Sequence, residues 1–149
     1  MGHNQHGQAS LSVTLDLYTL IDNYLRTEIL TDYRCDVCDV LRPTSKTLII
    51  VKAPLVLVVQ LSRFNNGLQK IPNYVGFPRN FTIKVLKDGI EEQIFYELTG
   101  VIIHVGQTIA AGHYFTYVFA DGNWLKANDS VLTEDCWESV RKKQAYVLF

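Results

Sequence analysis

The sequence predicts an α+β fold that is mostly antiparallel β-structure, with one helix near the N-terminus. Segments rich in β-branched and aromatic residues follow one another through the last two thirds of the chain, and residues of this kind favour strands. Short turn sequences separate most of them, which favours antiparallel neighbours over helical crossovers. With 149 residues and 48% hydrophobic residues, the chain can bury one sizeable core.

One amphipathic helix is predicted near the start of the chain. Apolar residues recur at helical spacing from Leu17 to Leu25, and the side chain of Asp16 can cap the first turn. We therefore expect a helix over 17–27.

The next segment predicts two strands and a tight turn. Residues 47–51 and 55–64 have strand composition, and Pro54 separates them. The sequence Asn65-Asn66-Gly67 predicts a turn, because Asn and Gly tolerate positive φ. Residues 71–77 contain proline and glycine and are expected to be irregular.

The second half of the chain predicts a strand-rich sheet. Turns are expected at Lys87-Asp88-Gly89 and at Asp121-Gly122, and one or two helical turns within 135–142. The predicted strands are 82–86, 93–105, 114–120, 123–126 and 145–149.

Charge and hydropathy exclude two classes of partner. The formal net charge is −1 and basic residues form no long run, so we expect no nucleic acid to bind. The longest apolar stretch, 48–61, is interrupted by Lys52, Pro54 and Gln60, and it cannot provide about 20 residues of membrane-spanning helix. We expect no membrane partner.

The cysteines and the N-terminus indicate a reducing compartment. The chain has three cysteines, an odd number, which fits the cytoplasm or nucleus better than a disulfide framework. The first eight residues have neither a basic start nor an apolar centre, so nothing marks the chain for secretion. Residues 1–10 are expected to be a disordered terminus, and 11–149 a single domain or a large part of one.

Two polar residues in apolar surroundings predict part of a catalytic site. His113 follows a glycine-containing loop, and Asn128 ends a short strand that can pair with the strand of His113. A histidine base held by an amide is the base-and-orienter pair of a nucleophilic triad, and we expect its distal ring nitrogen to be free for a thiol. None of the cysteines follows a small-residue turn into a helix, and the acidic neighbours of Cys136 disfavour its thiolate. The sequence therefore predicts half of an active site.

Seven blocks in order give a family resemblance. The sequence resembles the C-terminal half of the catalytic domain of ubiquitin-specific proteases in the blocks LVVQLSRF (57–64), FP (77–78), YELTGVIIH (96–104), GHYFTY (112–117), Trp124, NDS (128–130) and AYVLF (145–149). The resemblance implies a papain-like cysteine protease fold, of which this chain would form the palm and part of the fingers. It also implies thiol-dependent hydrolysis of the isopeptide bond after the C-terminal glycine of ubiquitin, with ubiquitin or ubiquitinated proteins as partners.

The resemblance assigns site residues by position. His113 matches the catalytic histidine, Asn128 the residue that orients it, and Asp129 the adjacent acidic position. Gly106 and Gly112 bound a loop that admits the ubiquitin tail, and the position of Tyr114 implies substrate contact. Residues 65–70 match a second loop at this channel, or form an ordinary hairpin. His104 matches a common histidine of the family, which we expect to be structural and satisfied by backbone.

Cys35-Asp36-Val37-Cys38 predicts half of a structural zinc site. Tetrahedral zinc needs four ligands, and this spacing fits one pair of them. In the family a second pair of cysteines comes earlier in the chain. Three alternatives stay open: ligands from further upstream, ligands from His3 and His6, or a knuckle without metal. Catalysis itself requires no cofactor.

The chain departs from the family in ways that leave several functions open. It lacks the cysteine-containing block and the helical thumb that carries it, so this chain alone is expected to be inactive and a thumb segment is an expected partner. The first hypothesis is a fragment of a deubiquitinase domain. The alternatives are a non-catalytic module that binds ubiquitin or another partner, and a truncated product that folds poorly.

Overall fold

The computed structural model describes residues 15–149, so the predicted disorder of 1–10 lies outside the described residues. In chain order the elements are β1 (Leu15–Asp16), α1 (Leu17–Leu25), β2 (Glu28–Leu30), β3 (Thr44–Lys46), β4 (Val59–Gln60), β5 (Val75–Gly76), β6 (Asn80–Lys87), β7 (Ile90–Glu97), β8 (Gly100–Thr108), β9 (Ala111–Ala120), β10 (Asn123–Asn128), β11 (Val131–Asp135), α2 (Trp137–Val140) and β12 (Ala145–Leu148).

A six-stranded antiparallel sheet organises the fold. Its strand order is β11-β10-β9-β8-β12-β4, so β4 and β11 are the edge strands. Three strand pairs accompany it: β2 with β3 and β6 with β7 are antiparallel, and β1 with β5 is parallel. The predicted α+β class with mainly antiparallel strands is confirmed.

Two predicted hairpin turns are confirmed by their backbone angles. Asp88 and Gly89 join β6 to β7 with φ of 51° and 81°, and Asp121 and Gly122 join β9 to β10 with φ of 51° and 82°. Positive φ at both central residues matches the right-handed twist of the flanking strands. The sequence Asp-Gly therefore fixes these two registers locally.

The helix α1 begins where predicted and ends earlier. The Asp16 carboxylate accepts a hydrogen bond from the Thr19 backbone N–H at 3.0 Å, which satisfies one of the free donors of the first turn. Hydrogen bonds from Thr19 to this carboxylate also hold the pKa of Asp16 below its usual value. The helix ends at Leu25 because Arg26 has extended backbone, with ψ of 142°, so the predicted continuation to residue 27 is wrong.

Several strand predictions are wrong. Residues 47–51 form no strand, and the only strand within 55–64 is Val59–Gln60, with Phe64 in an isolated bridge to Lys70. The predicted strand 93–105 is two strands, interrupted at Leu98 and Thr99. The short β2 and β3 and the acidic β11 were not predicted. Composition favours extended backbone, but a strand also requires a neighbour that pairs its backbone groups.

The core lies between one face of the central sheet and the segments before it. Val101, Val140 and Ala145 are fully buried. The other buried apolar residues come from α1, from the end of β4, from the β5–β8 region and from the last strands: Leu17, Leu61, Val75, Phe77, Phe81, Ile83, Val85, Leu98, Ile103, Tyr117, Trp124 and Leu148. Neither helix in the described part of the chain is long and apolar enough to cross a membrane.

Candidate active site

The structure brings His113 and Asn128 together. His113 lies near the start of β9, opposite Val105 of β8, and Asn128 is the last residue of β10, the other neighbour of β9. The Nε2 atom of His113 is 2.5 Å from the Asn128 Oδ1 atom. Two residues that are fifteen positions apart are thus joined by the Asp121-Gly122 hairpin.

This hydrogen bond assigns chemical roles to the two ring nitrogens. An amide oxygen only accepts, so His113 donates its Nε2–H to Asn128. The neutral imidazole then has its lone pair at Nδ1. The expectation that the distal nitrogen would be free is wrong: Nε2 is held by Asn128, and Nδ1 is the nitrogen left to act as a base.

An aromatic ring and a cation lie beside this pair. The Phe115 ring is 6.4 Å from the His113 ring, centroid to centroid. Lys126 lies on β10, the strand next to that of Phe115, and its Nζ atom is 4.6 Å from the centroid of the Phe115 ring. His113 itself is exposed, so its ring is accessible to a group that approaches from outside the described chain.

Asp129 lies beside Asn128 but outside the hydrogen-bonded pair. It occupies the two-residue connection between β10 and β11, with φ of 52°, a conformation that aspartate tolerates better than most residues. Within residues 15–149 its carboxylate makes no hydrogen bond to His113. Its position fixes where β10 ends and therefore where Asn128 stands.

Gly106 and Gly112 lie where no side chain fits. A Cβ atom on Gly112 would stand 2.0 Å from the His104 Nε2 atom, and one on Gly106 would stand 2.5 Å from the Ala111 carbonyl oxygen. The ladder between β8 and β9 is irregular between Val105 and Thr108, which brings these backbones close. Both glycines are needed for packing at the base of the loop.

His104 is the residue whose surroundings the sequence did not predict. Its side chain is 2% exposed and its ring centroid lies 4.6 Å from that of Tyr114, 5.5 Å from Phe64 and 6.0 Å from Tyr146. Neither ring nitrogen has a hydrogen-bond partner among the described residues, so the expectation of backbone partners is wrong. Burial lowers the pKa of His104, and the charge of Lys70 lowers it further. The glycine at position 112 is a sequence signal for this packing, because a side chain there would collide with the His104 ring.

Tyr114 connects the buried histidine to the surface. It lies directly opposite His104 in the ladder between β8 and β9, and it is 48% exposed. One side of the ring therefore packs on His104, while the rest is exposed.

The loop 65–70 is hydrogen-bonded to the end of β8 and to the turn that follows it. The Lys70 N–H donates to the Gln107 carbonyl at 2.9 Å, and the Ile109 N–H donates to the Leu68 carbonyl at 3.3 Å. The Lys70 ammonium also donates to the His104 carbonyl. The predicted turn at 65–67 is present, closed by a Leu68 N–H bond to Asn65, but it forms part of a two-loop unit beside His113.

Cys35 and Cys38 lie in the connection between β2 and β3. The Asp39 N–H donates to the Cys35 carbonyl at 2.8 Å, and Asp39 has φ of 54°. Backbone N–H groups of Cys38 and Val37 lower the pKa of the Cys35 thiol, which favours the thiolate that zinc requires. Within residues 15–149 no third metal-ligating side chain joins them, and His3 and His6 lie outside the described residues. Among the described residues, this segment therefore offers two cysteines and no further metal-ligating side chain grouped with them.

Cys136 is remote from the base. It precedes α2 and follows Asp135, which pairs with Trp124, whereas Asn128 pairs with Val131 at the other end of the same two strands. Four residues of antiparallel strand separate these ends by about 14 Å. Cys136 is exposed and free, but the β10–β11 pair holds it away from His113.

Comparison with known proteins agrees with this geometry. The sequence profile of the family described as ubiquitin carboxyl-terminal hydrolase matches residues 6–149. Ubiquitin carboxyl-terminal hydrolase 8 of Saccharomyces cerevisiae is 36% identical over 150 aligned residues, which cover 89% of this chain and 32% of that protein. Probable ubiquitin carboxyl-terminal hydrolase 16 of Schizosaccharomyces pombe is 31% identical, with 95% and 34% covered.

Solved structures show the same fold. The chain superposes with a TM-score of 0.78 and 33% identity on a structure of the SAGA Ubp8/Sgf11/Sus1/Sgf73 DUB module bound to ubiquitin aldehyde, covering 93% of this chain and 33% of that one. A DUB module bound to monoubiquitin gives a TM-score of 0.75 at 32% identity. The chain spans about a third of the length of these relatives.

Proposed function

The chain belongs to the ubiquitin carboxyl-terminal hydrolase family, and from that premise we propose that it is the base-bearing part of a deubiquitinase catalytic domain. The observation that carries the proposal is the hydrogen bond from His113 Nε2 to Asn128 Oδ1, which leaves Nδ1 as the base. We propose that the substrate is a protein conjugated to ubiquitin, because related structures are bound to ubiquitin or ubiquitin aldehyde.

The proposed reaction uses His113 twice. Its Nδ1 atom takes the proton of a cysteine thiol, and the thiolate attacks the carbonyl carbon of the C-terminal glycine of ubiquitin. The imidazolium then returns the proton to the leaving lysine amine, and a thioester to ubiquitin remains. Water, activated by the same nitrogen, hydrolyses the thioester and restores the thiol. Asn128 holds the ring in one orientation throughout, as the third member of such triads does.

The nucleophile in this proposal comes from a polypeptide other than residues 15–149. Cys136 is held away from His113, and Cys35 and Cys38 lie in the β2–β3 connection. The helical thumb of the family, which carries the cysteine, is the proposed partner. Gly106, Gly112 and Tyr114 would line the path of the ubiquitin tail, because glycine permits close approach of a substrate backbone.

Intact mass spectrometry tests the proposal. The chain is incubated with ubiquitin whose C-terminus carries a thiol-reactive electrophile, alone and together with the cysteine-bearing N-terminal block of the yeast relative. We expect no adduct on the chain alone, and an adduct on the added block only when wild-type chain is present. The His113→Ala variant should abolish that adduct. An adduct on the chain alone would contradict the proposed division of the site.

The Asn128 position offers a matched pair of variants. Asn128→Asp keeps an acceptor at this position and should keep the adduct, whereas Asn128→Leu removes the acceptor and should slow its formation about a hundredfold or more. Equal rates for the two variants would contradict the orienting role of Asn128.

A binding module is the second candidate function, favoured by the separation of Cys136 from His113 and by the position of Cys35 and Cys38 in the β2–β3 connection. In that case ubiquitin should bind without cleavage. Titration of labelled ubiquitin by NMR distinguishes the two, because a module shifts ubiquitin resonances even when the added thumb restores no reaction. Absence of any shift at about millimolar ubiquitin would exclude the binding module.

Two supporting proposals concern zinc and compartment. Cys35 and Cys38 would bind a structural zinc ion only with a second ligand pair from another segment. Zinc analysis of the purified chain should therefore give well under one ion per chain, and a full equivalent would contradict this. The free state of all three cysteines supports a reducing compartment, the cytoplasm or nucleus, for the chain.

A further inference from the structure

The ring of His104 lies against both ends of the segment 106–112, which joins β8 to β9 just before His113. Its Nε2 atom lies 2.0 Å and its Cδ2 atom 2.9 Å from the position that a Cβ atom of Gly112 would take, so the nitrogen-bearing edge of the ring faces this glycine. Its Cε1 atom lies 3.0 Å from the corresponding position at Gly106. One imidazole ring therefore occupies the space that side chains would need at the two glycines.

A polar ring is costly at this place. His104 is buried, neither ring nitrogen has a hydrogen-bond partner among the described residues, and aromatic rings surround it. Burying a polar group without a partner costs free energy that an apolar side chain would avoid. Imidazole offers one property in return: in its neutral form one ring nitrogen carries no hydrogen. With the hydrogen on Nδ1, the bare Nε2 atom packs closer to the backbone of Gly112 than a C–H or N–H group could.

The charged form of the ring fits this site poorly. Imidazolium carries a hydrogen on both nitrogens, so protonation adds one at the edge that faces Gly112. The titratable groups around the ring supply no negative charge: they are the hydroxyl-bearing rings of Tyr114 and Tyr146 and the ammonium of Lys70, which donates to the His104 carbonyl. Burial and the charge of Lys70 lower the pKa of His104. The packed segment 106–112 and the uncharged ring therefore depend on each other.

The ring can act on His113 only through the backbone. The two chain neighbours of His113, Gly112 and Tyr114, both contact the His104 ring. Tyr114 pairs with His104 across the ladder, so these two side chains share one face of the sheet. Successive side chains of a strand point to opposite faces, which places the His113 side chain on the other face. The backbone of His113 is thus held on both sides by contacts to one buried ring.

We propose that His104 is a positioning residue for His113: its uncharged ring holds the segment 106–112 against β8 and thereby fixes the start of β9, where the base lies. The catalytic meaning of this positioning rests on the proposed function, whereas the packing does not. When His104 binds a proton, the segment opens while the rest of the sheet stays folded, and His113 loses its fixed position.

Amide hydrogen exchange, followed by NMR, measures this opening in the chain alone. Rates are corrected for the intrinsic pH dependence of exchange. Between pH 7.5 and 5.5 we expect protection at Gly112, His113 and Tyr114 to fall about threefold or more, because the open form binds the proton more readily. Protection in β10 and β12 should fall less. His104→Phe, which cannot bind a proton, should show no such local loss.

Two further variants control the exchange experiment. His104→Gln is also unable to titrate and fills less of the site, so it keeps the comparison valid if His104→Phe does not fold. Phe81→Leu alters a buried ring on β6, a strand outside the central sheet. It should lower the overall stability but keep the local, pH-dependent loss at 112–114.

Adduct formation with the ubiquitin electrophile measures the effect on the base. With the N-terminal block of the yeast relative present, His104→Gln should react about threefold or more slowly than wild type at pH 7.5, because a misplaced base slows proton transfer. On acidification the wild-type rate should fall more steeply than that of His104→Gln, since thiol ionisation is common to both. A merely structural role would lower both rates in parallel.

Each outcome decides the positioning proposal separately from the catalytic one. A local loss of protection that depends on His104 supports it even if no adduct forms, a result that would count only against the proposed catalysis. A uniform loss over the whole sheet in wild type, or the same local pH dependence in a folded His104 variant, would overturn it. If neither His104 variant folds, the wild-type comparison of 112–114 with β10 and β12 decides alone.

Discussion

At the scale of single residues, the orientation of His113 depends on one acceptor. The amide oxygen of Asn128 lies 2.5 Å from Nε2, and this contact selects the tautomer that leaves Nδ1 basic. The hydrogen bond lies at the surface, so its contribution to stability is small, while its effect on the proton position is large.

The variant Asn128→Ala tests that tautomer. Without the acceptor, we expect the Nε2–H form of His113 to lose its preference and the Nε2 proton to exchange faster with water. Nitrogen-15 NMR of the histidine rings measures both. Asn123→Ala, at the exposed start of the same strand, should leave the His113 ring signals unchanged. An unaltered tautomer in Asn128→Ala would contradict the assignment.

The packing of His104 against Gly112 predicts a severe effect of a single methyl group. In Gly112→Ala the new Cβ would stand 2.0 Å from the His104 Nε2 atom and 2.8 Å from the Val105 carbonyl oxygen. We expect the free energy of unfolding to fall by about 1–3 kcal/mol, measured by urea denaturation.

A matched glycine and a double variant control that measurement. A Cβ on Gly76 would meet its nearest atom at 3.7 Å, so Gly76→Ala should change stability by less than about 0.5 kcal/mol. Removing the ring in Gly112→Ala/His104→Ala should give a smaller loss than the sum of the two single variants. Additive losses would show that the clash with His104 is not the cause.

The same residues show how far sequence reasoning reaches. His113 and Asn128 were predicted as a pair because a hairpin signal, Asp121-Gly122, lies between them and fixes their register. The burial of His104 was not predicted, because its neighbours Phe64, Tyr114 and Tyr146 come from three separate segments. Contacts set by local turns can be read from the sequence, whereas contacts set by tertiary packing cannot.

At the scale of elements, turns were predicted better than strands. Both Asp-Gly hairpins are present, since positive φ is a local demand. Within the apolar run 48–61, only β4 is a strand. A run of strand-forming residues does not form a strand unless a neighbouring segment pairs with its backbone. The acidic β11 is a strand because the turn at Asp129 returns the chain along β10.

The loop 65–70 contains a strained position that can be improved. Leu68 has φ of 59°, a conformation that costs a branched residue about 1 kcal/mol and that asparagine tolerates. Leu68→Asn should therefore raise the free energy of unfolding by about 0.5 kcal/mol. Leu86→Asn, at a similarly exposed leucine in the strand β6, should lower it by about 1 kcal/mol. Thermal unfolding of the two variants compares them, and a loss of stability in Leu68→Asn would contradict the strain.

At the scale of the whole molecule, the central sheet joins the His113–Asn128 pair to the rest of the fold. Strands β8, β9 and β10 position His104, His113 and Asn128, and β12 lies beside β8 in the same sheet and accepts the Arg63 Nε hydrogen bond at the Ala145 carbonyl. The His113–Asn128 pair and the buried Arg63 are thus held by one hydrogen-bonded sheet.

Burial of His104 couples the stability of this whole unit to pH. Its pKa is lowered in the folded chain, so below about pH 6.5 the unfolded chain binds a proton that the folded chain resists. Stability is therefore complete above this pH and falls as the pH decreases toward the folded pKa. The lowered pKa of Asp16 acts only below its usual value of 3.8, outside this window. Between pH 7.5 and 5.5 we therefore expect the free energy of unfolding to fall, because protonation of His104 favours the unfolded chain.

Urea denaturation of wild type and His104→Phe across this range isolates the effect. Phenylalanine keeps an aromatic ring among Phe64, Tyr114 and Tyr146 but cannot bind a proton, and all other titrating groups are common to both proteins. The variant should lose less stability on acidification than wild type. Parallel pH profiles would mean that His104 binds its proton equally in the folded and the unfolded chain. That result would contradict the lowered pKa of the buried ring.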